Sequence, residues 1–326
     1  MEDRHHRRIT YLRLSIIDRC NLRCFYCTPV QELVKLRHQD ILRYEEMLRL
    51  ARVAVSLGIK KIRVTGGEPL IRLGVENFLT ELGAIPGLEE VCLTSNGVLL
   101  AEKAAALWQA GVRRLNISLD SLQPERFARI TGRDQLAQVW EGLLTATALG
   151  FAPLKINCVV LRGINDDEVA AFAELSQRYP WHIRFLEFMP IGPSFSRWRQ
   201  HYLPMSQIQA RLRPLGRLEK LPPQRHAGPA ERYRLPGAPG EIGFISPMSR
   251  HFCGTCNRLR LTADGRLRPC LFQDDEIAVK AALRAGAGDA ELQALIRQAV
   301  LLKPARHQAE PQPPPANGRA MAAIGG

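Results

Sequence analysis

The chain has 326 residues, 46% of them apolar and 24% charged, which is enough for a buried core and two domains and unlike a disordered segment. No apolar run is long enough to cross a membrane, and the start, Met1-Glu2-Asp3-Arg4-His5-His6-Arg7-Arg8, lacks the apolar stretch of a secretory signal, so the expected compartment is the cytoplasm. A formal net charge of +13 gives an affinity for anions without deciding between nucleic acid and a polyphosphate.

Tyr11 to Ile17 reads as a first strand, followed by Met47, Leu50, Ala51, Ala54 and Leu57 at helical spacing and a stop at Gly58. Further strands are expected at Lys61–Thr65, Glu90–Thr94, Arg114–Leu119, Leu154–Leu161 and Ile183–Phe188, with helical stretches around 75–83, 101–109, 124–148 and 166–178. This alternation predicts an α/β fold with a parallel sheet and helices outside it. Six units are too few for a closed eight-stranded barrel, so a partial (βα)6 TIM-type barrel is expected over 1–189. A doubly wound open sheet is the alternative, because periodicity does not set strand order.

Beyond Pro190 the pattern changes, and 190–303 reads as a smaller α+β domain. Short strands are expected at 217–221, 231–235 and 241–245, and Leu259–Thr262 and Arg266–Arg268 flank the turn Asp264-Gly265 as a hairpin. Helical patterns follow at 274–284 and at 289–302, where Leu292, Leu295, Ile296 and Ala299 form one stripe. From 304 to 326, Pro304, Pro311 and Pro313-Pro314-Pro315 indicate an extended tail ending in Gly325-Gly326.

Six of the eight cysteines fall into two groups, and a disulfide framework is not expected where thiols are kept reduced. Cys92 and Cys158 sit inside apolar strand runs and read as core. Cys20-x3-Cys24-x2-Cys27 lies in the loop after the first strand. Three thiolates can hold an iron–sulfur cluster and leave one iron open, whereas structural zinc needs a fourth ligand that is not nearby.

This motif, with Tyr26 before its last cysteine, resembles the radical S-adenosylmethionine (SAM) superfamily. The resemblance implies a [4Fe-4S] cluster whose open iron is chelated by SAM, and reductive cleavage of SAM to methionine and a 5′-deoxyadenosyl radical. Thr65-Gly66-Gly67-Glu68-Pro69 resembles the family's SAM-binding turn, where glycine allows close backbone approach.

Cys253-x2-Cys256 and Cys270, fourteen residues on, form the second group. A second cluster with an open iron is expected there, the alternative being a zinc knuckle completed by His251. The stretch from Phe252 through Asn257-Arg258-Leu259-Arg260 to Leu271 is similar to the GTP 3′,8-cyclase family of molybdenum cofactor biosynthesis. The similarity runs from Arg13 to the terminal glycines.

That resemblance implies the site. Cys20, Cys24 and Cys27 would hold the SAM cluster, and Cys253, Cys256 and Cys270 a second, substrate-side [4Fe-4S] cluster. Tyr26, Gly67, Ser118 and Met189 match SAM contacts; Arg13, Arg63, Thr94, Lys155, Arg258 and Arg260 match GTP contacts. Arg258, Arg260, Gly325 and Gly326 are expected to act at the reacting centre, the tail threading into the cavity. The implied reaction converts GTP to (8S)-3′,8-cyclo-7,8-dihydroguanosine 5′-triphosphate by hydrogen abstraction at ribose C3′ and attack on guanine C8. The implied partners are an electron donor of flavodoxin or ferredoxin type and a separate cyclic pyranopterin monophosphate synthase that consumes the product. The implied assembly is a homodimer or monomer, with no nucleic acid or membrane partner. Leu22 and Thr28 depart from the aromatic and methionine common in relatives.

The residues also make sense without the family. Thr94, Ser118, Lys155 and Met189 fall at or near the ends of successive strands, and Arg and Lys supply charge-assisted bonds to phosphate. Two rivals differ in what they need. A peptide-modifying radical SAM enzyme would share both cysteine groups without needing Arg258, Arg260 or the glycines. A zinc module for nucleic acid fits the charge but not the lack of aromatic-rich strands.

Overall fold

The computed structural model describes residues 1–27, 35–192, 195–222, 228–307 and 319–325. Six strands come first: β1 (Tyr11–Ser15), β2 (Lys61–Thr65), β3 (Glu90–Ser95), β4 (Arg114–Ser118), β5 (Leu154–Val160) and β6 (His182–Glu187). They pair in chain order, each parallel to the next. A doubly wound sheet needs a reversal of strand order, and there is none. The partial barrel is the observed arrangement.

Six helices fill the crossovers: α1 (Tyr44–Ser56), α2 (Val75–Gly83), α3 (Leu100–Gln109), α4 (Pro124–Thr131), α5 (Leu136–Ala148) and α6 (Val169–Arg178). The single helix expected over 124–148 is two, α4 and α5. Gly132 takes φ +71° and breaks the chain, and a Cβ there would sit 3.1 Å from that of Arg23. α6 starts at Val169 because the Glu168 carboxylate accepts bonds from Ser121 Oγ and the Leu122 amide at 2.8 and 2.7 Å, tying the preceding turn to another loop.

After α7 (Phe195–His201) and α8 (Met205–Ala210) the chain returns to the same sheet at both margins. β9 (Glu241–Ile245) adds parallel to β6, with β8 (Glu231–Arg234) and β7 (Glu219–Lys220) antiparallel outside it. β10 (Arg258–Leu261) adds parallel to β1, with β11 (Arg266–Arg268) and β12 (Ile277–Ala278) outside it. Pairing of Ile277 with Leu267 takes the first part of the expected 274–284 helix into β12, leaving α9 at Lys280–Arg284. α10 (Asp289–Leu301) packs on α1, and α11 (Met321–Ile324) ends the described tail. The outermost strands β7 and β12 do not pair with each other, so the barrel stays open.

Strand alternation explains where the site lies. Leu12, Leu14, Ile62, Val64, Leu93, Leu115, Ile117, Ile156, Ile183 and Phe185 are buried in the main core, together with Met47, Leu50 and Ala54 of α1 and Phe78, Leu79 and Leu82 of α2. The intervening positions Arg13, Arg63, Thr94, Asn116, Ser118, Lys155, Asn157 and Arg184 line a central cavity. The apolar face looks outward to the helices and the polar face inward, with period two. Cys92 and Cys158 are buried, as core packing requires.

Candidate active site

The Cys20–Cys27 loop leaves β1 and is fixed from three sides. On one side the glycine turn after β2 lies against it: the Gly67 amide donates to Ile17 O at 2.6 Å and the Glu68 amide to Arg19 O at 2.8 Å. A Cβ on Gly66 would lie 2.6 Å from Ile17 O and one on Gly67 2.2 Å from Arg19 O, so both positions must be glycine for the two backbones to meet. On a second side the amides of Arg23 and Phe25 donate to the C-terminal carbonyls of α4, Thr131 O and Ile130 O, at 2.7 and 3.1 Å. The break at Gly132 makes room for this contact. On the third side Phe25 and Tyr26 pack against Phe188 and Trp198, and the Tyr26 hydroxyl donates to Asp120.

The electrostatics around this loop lean acidic. Glu68, 1% exposed, accepts bonds from Ser95 Oγ and the amides of Asn96 and Leu70, yet burial lifts its carboxyl to about 7. Burial raises Asp120 to about 6 against the bonds from Tyr26 and the Val159 amide. The Cys20 thiol is pushed up by its enclosed position and by Glu68, and accepts bonds from the Leu22 amide and Asn96 Nδ2 at 3.4 and 3.6 Å. Leu22 is buried and lines the cavity; Thr28 lies outside the described residues.

The second triad lines the same cavity from the opposite end of the strands, since Cys253 and Cys256 precede β10, the parallel neighbour of β1, whereas Cys20 follows the end of β1. Cys253 opens a short turn closed by Cys256 N donating to Cys253 O at 3.1 Å, and Cys270 follows β11. Arg7 Nη1 donates to Cys253 O at 2.7 Å, and Lys303 Nζ donates to Arg258 O and Pro269 O, each at 2.8 Å. Burial would raise the Cys256 thiol, but the Arg258 and Lys303 cations outweigh it and bring it down to about 6. None of the six cysteines is in a disulfide.

The thiols suit a cluster better than a single ion. Among the described residues, one group alone has three ligand atoms within 4.8 Å of one another: His251, Cys253 and His307. Each triad offers three thiolates, the donor set of an iron–sulfur cluster with one open iron, whereas a structural zinc takes four protein ligands. His251, the alternative zinc ligand in the sequence, neighbours Cys253, but Cys256 and Cys270 are not in its group.

Between the triads the cavity wall is cationic. Adjacent strands set Tyr11, Lys61 and Glu90 in one register, Arg13 beside Arg63 and Arg260 in the next, and Asn157 beside Arg184 on the far side. Lys61 is ion-paired with Glu90 at 2.6 Å. Among the described residues, no ion pair engages Arg13, Arg63, Lys155, Arg184, Arg258 or Arg260. Arg63 instead bonds the hydroxyls of Tyr11 and Thr94, and Arg13 Nε is buried with no partner. Burial and mutual repulsion bring Arg13 and Arg184 to about 10 and Lys155 to about 6, and hold Arg260 well below its ordinary range. Such a cluster is stabilised by an anion with several charges, which a triphosphate supplies.

The tail reaches this wall. Met321 and Ala322 line the cavity, and Arg260 Nη1 donates to Gly325 O at 3.0 Å. Gly325 takes φ +75°, and a Cβ there would lie 2.9 Å from that of Ser15 and 3.1 Å from Thr65 Cγ2. Arg319 anchors the segment through two bonds to the Asp264 carboxylate at 3.0 and 2.5 Å. Gly326 and the Pro313–Pro315 run lie outside the described residues.

Residues 14–176 match the family model of the radical SAM superfamily, and 181–309 match the model described as Molybdenum Cofactor Synthesis C. The GTP 3′,8-cyclase of Moorella thermoacetica is 50% identical over the whole of both chains. The chain belongs to the GTP 3′,8-cyclase family. The cyclase of Pelotomaculum thermopropionicum is also 50% identical, over 94% of this chain and 95% of its own, and that of Heliobacterium modesticaldum 47% over all of both. The solved structure of Streptococcus suis SuiB bound to S-adenosylmethionine superposes with a TM-score of 0.59 at 12% identity, covering 89% of this chain and 68% of that one, a likeness of fold. No helix among the described residues is long and apolar enough to cross a membrane.

The cavity thus gathers the six cysteines, Tyr26, Gly67, Ser118 and Met189, and Arg13, Arg63, Thr94, Lys155, Arg258 and Arg260, with Gly325 bonded to its wall. It also gathers residues that motif reading passes over: Tyr11, Lys61, Asn116, Asn157, Arg184, Lys303 and His307. Their signal is the alternation itself. Lys61-Ile62-Arg63-Val64-Thr65 places three polar side chains on one face of a strand whose other face is apolar.

Proposed function

We propose that GTP binds in this cavity with its triphosphate on Arg13, Arg63, Lys155 and Arg184 and its base toward Cys253, Cys256 and Cys270. The chain is then the radical SAM enzyme that makes 3′,8-cyclo-7,8-dihydro-GTP at the start of molybdenum cofactor biosynthesis. The observation that carries this reading is the ring of acid-free cations between two open thiol triads in one chamber. On this reading residues 1–189 carry the SAM chemistry, 190–303 the substrate-side cluster and 304–326 the tail. Cys20, Cys24 and Cys27 would hold one [4Fe-4S] cluster and Cys253, Cys256 and Cys270 another. Bound with SAM, the first supplies the hydrogen-abstracting radical chemistry.

The chain's own part is placement. Tyr26, Gly67, Ser118 and Met189 would hold SAM beside the first triad, and Arg258 and Arg260 would fix the nucleotide and the tail. The product is an isomer of GTP: ribose C3′ loses one hydrogen, C3′ bonds to guanine C8, and N7 gains a proton and an electron. The electron comes from a flavodoxin- or ferredoxin-type donor, and a separate synthase converts the product to cyclic pyranopterin monophosphate. Anaerobic incubation with GTP, SAM and reductant, followed by chromatography and mass spectrometry of the nucleotide, tests the whole. A new nucleotide isobaric with GTP is expected, and unchanged GTP beside cleaved SAM would refute the substrate.

Two further outcomes follow from the site. Lys155 is held to about 6 in the free protein by burial and by Arg184 and Arg63, and a bound triphosphate raises it again. The complex therefore takes up a proton: GTP affinity is level below pH about 6 and falls as pH rises through the interval between free and bound values. Calorimetry at pH about 7.5 in two buffers of different ionisation enthalpy should show uptake approaching one proton, lost in Lys155→Met. At Gly325, valine would combine the strain of φ +75° with contact against Ser15. A penalty of about 1–3 kcal/mol should displace the tail and cut product formation roughly ten- to hundredfold. SAM binding should be unchanged, and full turnover by Gly325→Val would remove the tail from the mechanism.

A further inference from the structure

We propose that Lys303 is a positioning residue for the second cluster, and that its ammonium keeps that cluster's reduction potential above that of the SAM cluster. The inference rests on the reading that Cys253, Cys256 and Cys270 bind a cluster. Lys303 follows α10 and is 4% exposed. Its Nζ bridges Arg258 O and Pro269 O, each at 2.8 Å. Those carbonyls lie two residues beyond Cys256 and one before Cys270, so one cation ties the two segments that present these sulfurs. Among the described residues no carboxylate is ion-paired with it. Arg7 holds the other end of the Cys253–Cys256 turn: it is fixed by Asp3 at 2.6 Å and donates to Cys253 O and to Pro304 O beside Lys303.

The charges facing the two triads differ in sign. Cys256 faces Arg258 and Lys303. Cys20 faces Glu68, with Arg23 a lesser opposite charge, and Cys24 faces Asp120. Reducing a cluster adds one negative charge, which a buried cation stabilises and a neighbouring carboxylate disfavours. Two clusters of the same type with the same number of thiolates are thereby separated in potential by their surroundings. Arg258 contributes to the same field but also belongs to the proposed GTP site; Lys303 makes its polar contacts with backbone carbonyls beside the triad, so its charge can be removed more cleanly.

The test is an anaerobic redox titration of the reconstituted full chain read by electron paramagnetic resonance. Cys24→Ala and Cys256→Ala each leave a single cluster and so assign the two signals. In the wild type the second cluster's midpoint should lie above the first. Lys303→Gln keeps N–H donors for both carbonyls and removes the charge. It should lower the second midpoint by about 59 mV, a tenfold change in the one-electron equilibrium, and leave the first unmoved. Lys303→Arg should restore the wild-type value. A second midpoint unmoved by Lys303→Gln, or a wild-type order with the second cluster lower, would overturn the proposal. The wild-type ordering needs no Lys303 variant, so it decides the matter even if the glutamine protein loses its second cluster. A wild type with one cluster by iron content and resonance would refute the two-cluster reading itself.

Discussion

Replacing Cys24 with alanine should abolish reductive cleavage of SAM while the chain still folds. The loop that carries Cys24 is held by backbone bonds to α4 and to the glycine turn and by the Tyr26–Asp120 contact, none of which involves its sulfur. Losing one of three thiolates leaves two, too few to hold a cube that already has an open iron. Iron content should fall by about half, and 5′-deoxyadenosine should drop below detection in the presence of SAM and reductant. Cleavage at the wild-type rate would show that the SAM cluster sits elsewhere. Wild-type protein containing zinc and no iron or sulfide would revive the metal-knuckle alternative.

Arg258→Ala should separate the two halves of the reaction. Arg258 opens β10, pairs in register with Tyr11 of β1, and stacks its guanidinium 5.0 Å from the Phe252 ring, on the margin of the cavity away from the first triad. Removing one member of a desolvated, charge-assisted contact costs about 2–5 kcal/mol, so cyclised product should fall by about two to three orders of magnitude. Cleavage of SAM should persist, producing 5′-deoxyadenosine without matching nucleotide product. Arg258→Lys should recover only part of the loss, because an ammonium cannot reproduce the planar two-donor fork. Full product formation by Arg258→Ala would mean that the nucleotide does not use this wall.

Much of the fold was legible because its strands carry strong apolar runs. Lys61–Thr65 and Glu241–Ile245 appear with the boundaries that alternation gives, and most others move by a residue or two at an end. Two features escape a reading of local pattern. The apolar stripe through 124–148 runs on across Gly132 and masks the stop that this left-handed glycine makes, where the cysteine loop docks on the end of α4. Nor does local sequence reveal that β9 and β10 join opposite margins of one sheet, since their partners lie far away in the chain. The cysteine triads stood out through spacing alone. Lys61 and Arg184 did not, because a polar residue at alternate strand positions normally reads as facing water, and here the same pattern faces the chamber.

The open barrel has a consequence for how this chain survives before iron and sulfide are installed. A sheet that does not close exposes two rows of unsatisfied amides and carbonyls, which could template the addition of a strand from a neighbouring molecule. Here the terminal ladders are only two residues long: Glu219–Lys220, both exposed and of opposite charge, and Ile277–Ala278, followed directly by α9. An incoming strand would find too few rungs to hold it. The apoprotein can therefore wait for iron and sulfide with its chamber accessible, without its margins seeding fibrils.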